Sequence, residues 1–372
     1  MTHRHAASFL RMPVLCVLAI SSCTDTSPEL QCSKCEIHLE HEVTIGAKDG
    51  PGAITSWPTA LAVGPERHIV VVAPYAGEER PREYDPSGRF IRRIGTVGEG
   101  PGEFERAEYA AFSGDSLLVY DRAQGRISVF GRDRTYARTI AGVPQLYRWV
   151  ELSDGSLVAN RTDYRLEPMV RLDRNGAVLA SFGELYSGND ESAYLRPVRY
   201  LAASSSGGVW SAQLAFDYRI EKWSTTGELL QAIHLDQPWF PSYERAQNAA
   251  PEVPPQSTVQ GIWEDPTGLL WIVGVTADPD YREGLGPSRR VEGHQVYEII
   301  DPTLVYDAVI DVIDPGPPPR VVHHRQVPDH LFWVPEPGLL MSPKEDELGF
   351  VTIDLWRPRI PAADSEQRPN KR

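Results

Sequence analysis

Ile91-Arg92-Arg93-Ile94-Gly95-Thr96-Val97-Gly98-Glu99-Gly100-Pro101-Gly102-Glu103-Phe104 decides the fold. It begins with strand-like alternation and runs into a turn dense in glycine and proline, so the chain leaves one sheet and crosses tightly into the next. Just upstream, Tyr84-Asp85-Pro86-Ser87-Gly88-Arg89-Phe90 sets a Pro-Ser-Gly turn between two short runs, the pattern of a β-hairpin. The two stretches form one unit of strand, hairpin turn, strand and glycine-rich crossing.

That unit recurs. Leu172-Asp173-Arg174-Asn175-Gly176-Ala177-Val178-Leu179-Ala180-Ser181-Phe182-Gly183 repeats it, Trp223–Leu230 repeats its hairpin, and Phe130–Tyr136 is a weaker copy. A second signature precedes each copy, a small polar turn followed by an apolar run. It is seen at His68-Ile69-Val70-Val71-Val72, Gly114–Val119, Asp154–Val158, Gly207–Trp210, Thr267–Ile272 and Pro337–Leu340. With Ile69, Leu117, Leu157, Val209, Leu269 and Leu339 as markers, the intervals are 48, 40, 52, 60 and 70 residues. Repeats of this length built from four short strands are the sequence mark of propeller blades.

The segment Gly95–Phe104, with its Asp-Pro-Ser-Gly hairpin, resembles the six-bladed β-propeller lipoproteins of environmental bacteria, relatives of NHL-repeat propellers. The resemblance extends over residues 37–356 and implies an all-β, six-bladed propeller of four-stranded antiparallel blades. An extra partial blade hidden in 276–325 would make seven. Propellers carry many unrelated functions, so the fold by itself names none.

Met1–Ser22 carries Arg4 and Arg11 ahead of the apolar run Met12–Ile20, which reads as an export signal too short to span a bilayer. Ile20-Ser21-Ser22-Cys23 resembles a bacterial lipobox, which makes Cys23 the lipidated N-terminus of the mature chain and places the protein in the cell envelope, on the periplasmic side of the outer membrane or at the cell surface. An ordinary secretory signal with an incidental cysteine is the plainer reading. Residues 23–36 form a tether that holds Cys32-Ser33-Lys34-Cys35. In an oxidising compartment that pair closes into a local disulfide, with a redox or metal role or free thiols as the alternatives. Neither a following His for haem attachment nor a second Cys pair for zinc is present.

Loss of the signal moves the formal charge from −14 to −16. So acidic a chain offers no basic face for phosphate, and nucleic acid is excluded as a partner. Ile37-His38-Leu39-Glu40-His41-Glu42-Val43 alternates as a strand, and the C-terminal repeat, ending at Phe350–Trp356, is one strand short. An N-terminal strand over 37–45 therefore closes the ring and covers a sheet edge. From Arg357 to Arg372 the composition turns polar and reads as a disordered tail.

The fifth repeat carries long additions, Asp236–Val259 and Ala277–Gly293, and Ser187–Ser192 is a shorter loop. Long loops in a compact domain are functional or disordered. Trp239, Phe240 and Tyr243, with Tyr281 in the second addition, form the expected recognition surface for a protein, peptide or carbohydrate ligand. The alternative is that Trp239 and Phe240 cover the propeller as a local cluster. Trp210, Trp223, Trp263, Trp271, Trp333 and Trp356 fall in strand patterns and read as core. Asp278, Asp280 and Glu283 offer oxygen ligands to calcium, without the full loop spacing. His323 and His324, flanked by Arg320 and Arg325, point to opposite faces if on a strand and read as exposed polar residues.

No nucleophile elbow, phosphate loop or zincin motif appears. The sequence thus points to a monomeric, lipid-anchored binding propeller without a cofactor. The rival is a metal-dependent hydrolase or lyase, gluconolactonase-like or streptogramin-lyase-like, with its site in the central channel.

Overall fold

A computed structural model describes residues 37–74, 80–143, 145–185, 194–291 and 294–361. Within them lie six four-stranded antiparallel sheets. Blade one is Ala60–Val63, Ile69–Val72, Arg82–Tyr84 and Phe90–Arg93, and blade two Ala107–Ser113, Ser116–Asp121, Arg126–Phe130 and Tyr136–Ile140. Blade three is Leu146–Glu151, Leu157–Arg161, Met169–Leu172 and Val178–Phe182, and blade four Arg199–Ala203, Val209–Gln213, Arg219–Trp223 and Leu229–His234. Blade five is Thr258–Glu264, Leu270–Ala277, Tyr306–Asp314 and Arg320–Val327. Blade six takes Trp333–Glu336, Leu339–Glu345 and Val351–Arg359, and borrows His38–Ile45 as its outer strand.

The first strands of successive blades touch one another in a closed circuit, with blade six returning to blade one. The molecule is a six-bladed β-propeller. The 276–325 region adds no blade: the two inner strands of blade five are separated from its outer pair by the hairpin Leu285–Val291 and His294–Ile299, between two single helical turns.

The core is distributed as six apolar clusters among the described residues, one at each junction between neighbouring blades. Because the middle strands are covered on both faces, they read as continuous apolar runs, such as Ile69–Val72, buried throughout. The outer strands keep one side in water, as Val178–Phe182 does.

The closing strand pairs antiparallel with Val351–Arg359, from His38 opposite Arg359 to Ile45 opposite Ile353. Arg357 reaches Glu42 at 2.6 Å and Arg359 reaches Glu40 at 2.6 Å, while Ile45 is fully buried. The sequence boundary for the polar tail is therefore corrected. Arg357, Pro358 and Arg359 extend the strand because Glu40, Leu39 and His38 stand opposite them. The turn at Gly88, φ +82°, packs against the carbonyl of Thr44, so a side chain there would collide with the closing strand.

Four-stranded meanders sort their turns to two faces. The first-to-second and third-to-fourth turns lie on one side, and the second-to-third turns and the crossings to the next blade lie on the other. Both long additions belong to this second face: 235–257 is the crossing from blade four to blade five, and 278–305 joins the second and third strands of blade five. The first addition thus precedes blade five rather than belonging to it.

Candidate functional site

The first strands of all six blades line a cavity of about 340 Å³ on the propeller axis. Its wall mixes polar groups with apolar side chains, Ala62, Ala111, Leu201, Ala202, Ile262 and Val334 among them. It extends to the C-terminal ends of those strands, at Ser113, Glu151, Glu264 and Glu336, which is the side of the first-to-second turns.

Three of the inner strands are irregular at their N-terminal halves. Register breaks fall between Ala107 and Tyr109, between Leu146 and Trp149, and between Val259 and Gly261. A bulge re-aims the side chains beside it, and the inner strand of blade six has a further break between Trp333 and Glu336. Tyr147 and Arg148 lie inside the second, Gln260 inside the third, and Tyr109 borders the first.

Arg148 stands in an aromatic box. Its guanidinium carbon lies 5.0 Å from the Tyr200 ring centre, 5.2 Å from Tyr147 and 5.8 Å from Tyr109. Tyr109 Oη donates to the Trp149 carbonyl at 3.3 Å and Tyr200 Oη to Gln260 Oε1 at 3.2 Å, which fixes two of the rings. Burial works against the charge on Arg148, but the three phenols outweigh it and hold the guanidinium firmly protonated. Burial alone would also raise the Tyr147 phenol; the Arg148 charge and the hydrogen bonds shared with Tyr200 and Arg148 leave it below its ordinary range instead. Tyr200 is pushed well up, chiefly by burial. Among the described residues no carboxylate forms an ion pair with Arg148, and its buried Nε has no hydrogen-bond partner.

The other end of the cavity is acidic. Glu264 is saturated by donors, from Ser204 at 2.9 Å, Trp210 Nε1 at 2.6 Å and both groups of Ser205. Burial raises its carboxyl, but these hydrogen bonds prevail and hold it below the usual glutamate range. Glu151 accepts one hydrogen bond, from Ser113 Oγ at 2.9 Å. Glu336 is pushed up to about 7 by burial, against the opposing charges of Arg67 and Arg357 and with a further push from Glu42. Among the described residues the cavity thus carries one cation, Arg148, at one level and two incompletely occupied carboxyl groups, Glu151 and Glu336, on the side of the first-to-second turns.

The aromatic surface expected on the blade-five additions does not exist as a surface. Trp239, Phe240 and Tyr281 are buried, and Tyr243 is partly buried against them. The cause is Asp311, fully buried mid-strand in blade five, which needs donors. Its Oδ2 accepts from Tyr218 Oη and from Trp239 Nε1, each at 2.9 Å, and its Oδ1 bonds His324 Nδ1 at 2.6 Å. Phe240 stacks on Tyr218 with centroids 5.5 Å apart, and the Trp239 ring lies over Gly274, where any side chain would collide with it. Tyr281 Oη donates to the Pro251 carbonyl at 2.9 Å and so ties the two additions together. The rings cover the junction of blades four and five.

His324 is likewise not a free polar residue. Its bond to Asp311 raises its pKa against the opposing effect of burial. Asp278, Asp280 and Glu283 do gather, beside Asp307 and Asp329, around a surface pocket. Asp278 Oδ1 is engaged by the Asp280 backbone N–H at 2.6 Å, and Gln326 donates to Asp307 at 2.6 Å. No group of three or more His, Cys, Asp or Glu among the described residues is arranged to hold a metal ion. Trp210, Trp223, Trp263 and Trp271 are core, whereas Trp333 and Trp356 are partly exposed. Cys23, Cys32, Cys35 and the loop at 187–192 lie outside the described residues.

No family model matches the chain, and no curated protein matches it in sequence. Solved structures do match in shape. A protein described as exported, from Bacteroides fragilis, is 12% identical with a TM-score of 0.55, over 88% of this chain and 96% of that one. A member of the DUF4221 family from Bacteroides vulgatus is 10% identical with a TM-score of 0.58, over 89% and 100%. Virginiamycin B lyase from Staphylococcus aureus is 10% identical with a TM-score of 0.49, over 87% and 99%. At such identities the first two carry the fold alone.

Proposed function

We propose that this protein is an exported, lipid-anchored binding propeller, tethered through Cys23, that takes a small ligand with an anionic group into its axial cavity. The observation that carries the reading is Arg148. Arg148 is half-buried on the cavity wall, and a guanidinium withdrawn from water ordinarily has a carboxylate beside it, because desolvating a charge without compensation is costly. Here it has three ring faces, each a contact of ~0.5–2 kcal/mol, and an unused donor. An anion in the cavity supplies the missing partner, and the apolar side chains of the wall receive the rest of the molecule.

The rival reading, a metal-dependent hydrolase or lyase in the channel, draws less support. Among the described residues no three His, Cys, Asp or Glu side chains are arranged to hold a metal ion. The test is thermal unfolding in rising concentrations of sodium benzoate, a rigid apolar carboxylate, against sodium chloride at equal ionic strength. Wild type should be stabilised by benzoate and Arg148→Met should not. An equal response of the two proteins, or none from wild type, removes the reading.

A further inference from the structure

The anion site does not explain the other end of the cavity. Resting on the reading above, we infer that the ligand is an elongated zwitterion of the short-peptide class, its carboxylate on Arg148 and its amino group between Glu151 and Glu336.

Three observations carry this. The cavity is electrically polar along its length, with a cation flanked by Tyr109, Tyr147 and Tyr200 at one level and the carboxyl groups of Glu151 and Glu336 at the end of the same strands. Those carboxyl groups are under-used: Glu151 accepts from Ser113 alone, whereas the neighbouring Glu264 is filled by Ser204, Ser205 and Trp210. A simple anion would share the cavity with these acids, which is unfavourable, while a molecule with an opposite charge at its far end gains from both.

The third observation is spacing. Arg148 and Glu151 are three residues apart on one inner strand, so their backbones stand ~10 Å apart. An extended tripeptide places its terminal charges at about the same separation. A free α-amino acid is too short to reach both ends, and the apolar part of the wall, with Ala111, Leu201 and Val334, suits small side chains. Burial chiefly sets how readily Glu336 ionises, with the charges of Arg67 and Arg357 opposing it and that of Glu42 adding to it.

Isothermal titration calorimetry of the full-length protein at pH 8 with trialanine, N-acetyl-trialanine and trialanine amide tests the assignment without depending on any variant. Trialanine should bind one site. Capping either terminus should weaken it by roughly tenfold or more. Glu336→Gln should weaken trialanine and leave the N-acetyl form unchanged, and Arg148→Met should weaken trialanine and leave the amide unchanged. Equal binding of trialanine and its N-acetyl form overturns the zwitterion while leaving the anion site on Arg148 intact. Failure of trialanine to bind a protein that benzoate stabilises through Arg148 has the same meaning. Equal binding of trialanine and its amide, or silence from both trialanine and benzoate, overturns this inference and the reading beneath it.

Discussion

Replacing Trp239 by Ala probes the coupling between the long addition and the blades. The indole is 6% exposed, meets Tyr218 edge-to-face at 5.1 Å and Phe240 edge-to-face at 5.2 Å, and donates to the buried Asp311. Truncating a buried Trp costs ~3–5 kcal/mol. Within that, the lost donor leaves a fully buried carboxylate with Tyr218 and His324 as its remaining partners, a change of ~1–3 kcal/mol. Trp239→Phe separates the two parts, since it keeps most of the ring and removes the N–H. Urea unfolding followed by circular dichroism should show the midpoint falling in the order wild type, Phe, Ala, with an unchanged slope. In a chain of this size the Ala variant should melt roughly 4–7 °C lower. A midpoint unmoved by Trp239→Ala, with faster amide exchange confined to 235–257, would show that the addition is a detachable flap, and the argument from Asp311 would be wrong.

Three other perturbations bear on the framework and the axis. Glu83 is fully buried between Arg134 at 2.9 Å and Arg92 at 2.8 Å, so Glu83→Ala strands the buried Arg134 and should cost ~3–5 kcal/mol in denaturant unfolding. A chain beginning at Gly46 lacks the closing strand and exposes the edge of Val351–Arg359; size-exclusion chromatography should show it self-associating, and a synthetic peptide of residues 37–45 should reverse this. Glu336 titrates near 7 in the folded protein against 4.5 for an ordinary glutamate, so the folded state holds the extra proton between those values and stability falls as pH rises through the window. Glu336→Gln should remove that fall, leaving the variant similar to wild type near pH 4 and more stable at pH 8, by ~3 kcal/mol at most.

The turns and hairpins were legible because their signals are local. Asp85, Asp173 and Asp265 each cap their own turn through backbone N–H groups two and four residues on, which needs nothing from elsewhere in the chain. The closing strand was legible from alternation at one terminus and a missing strand at the other. The axial site was not, because Tyr109, Arg148, Tyr200 and Glu336 come from four blades and meet only once the ring closes. Nor does sequence show that the acceptor for Trp239 lies 72 residues downstream. Both sites nevertheless left a trace of one kind, a charged residue inside an apolar strand. Arg148 interrupts Leu146–Val150, and Asp311 interrupts Ala308–Ile313. A charge placed there must be answered by something, in one case Trp239, Tyr218 and His324, in the other by ring faces and a cavity.

Arg148 is proposed to receive an anionic group on the propeller axis. The most direct measurement is a crystal structure of the full-length protein grown with 4-bromobenzoate, with data collected at the bromine absorption edge. An anomalous peak should appear inside the axial cavity, with the carboxylate against the Arg148 guanidinium, and should be lost in Arg148→Met crystals. A bromine peak elsewhere on the propeller with the axial cavity unchanged, or an axial peak that persists in Arg148→Met, would contradict it.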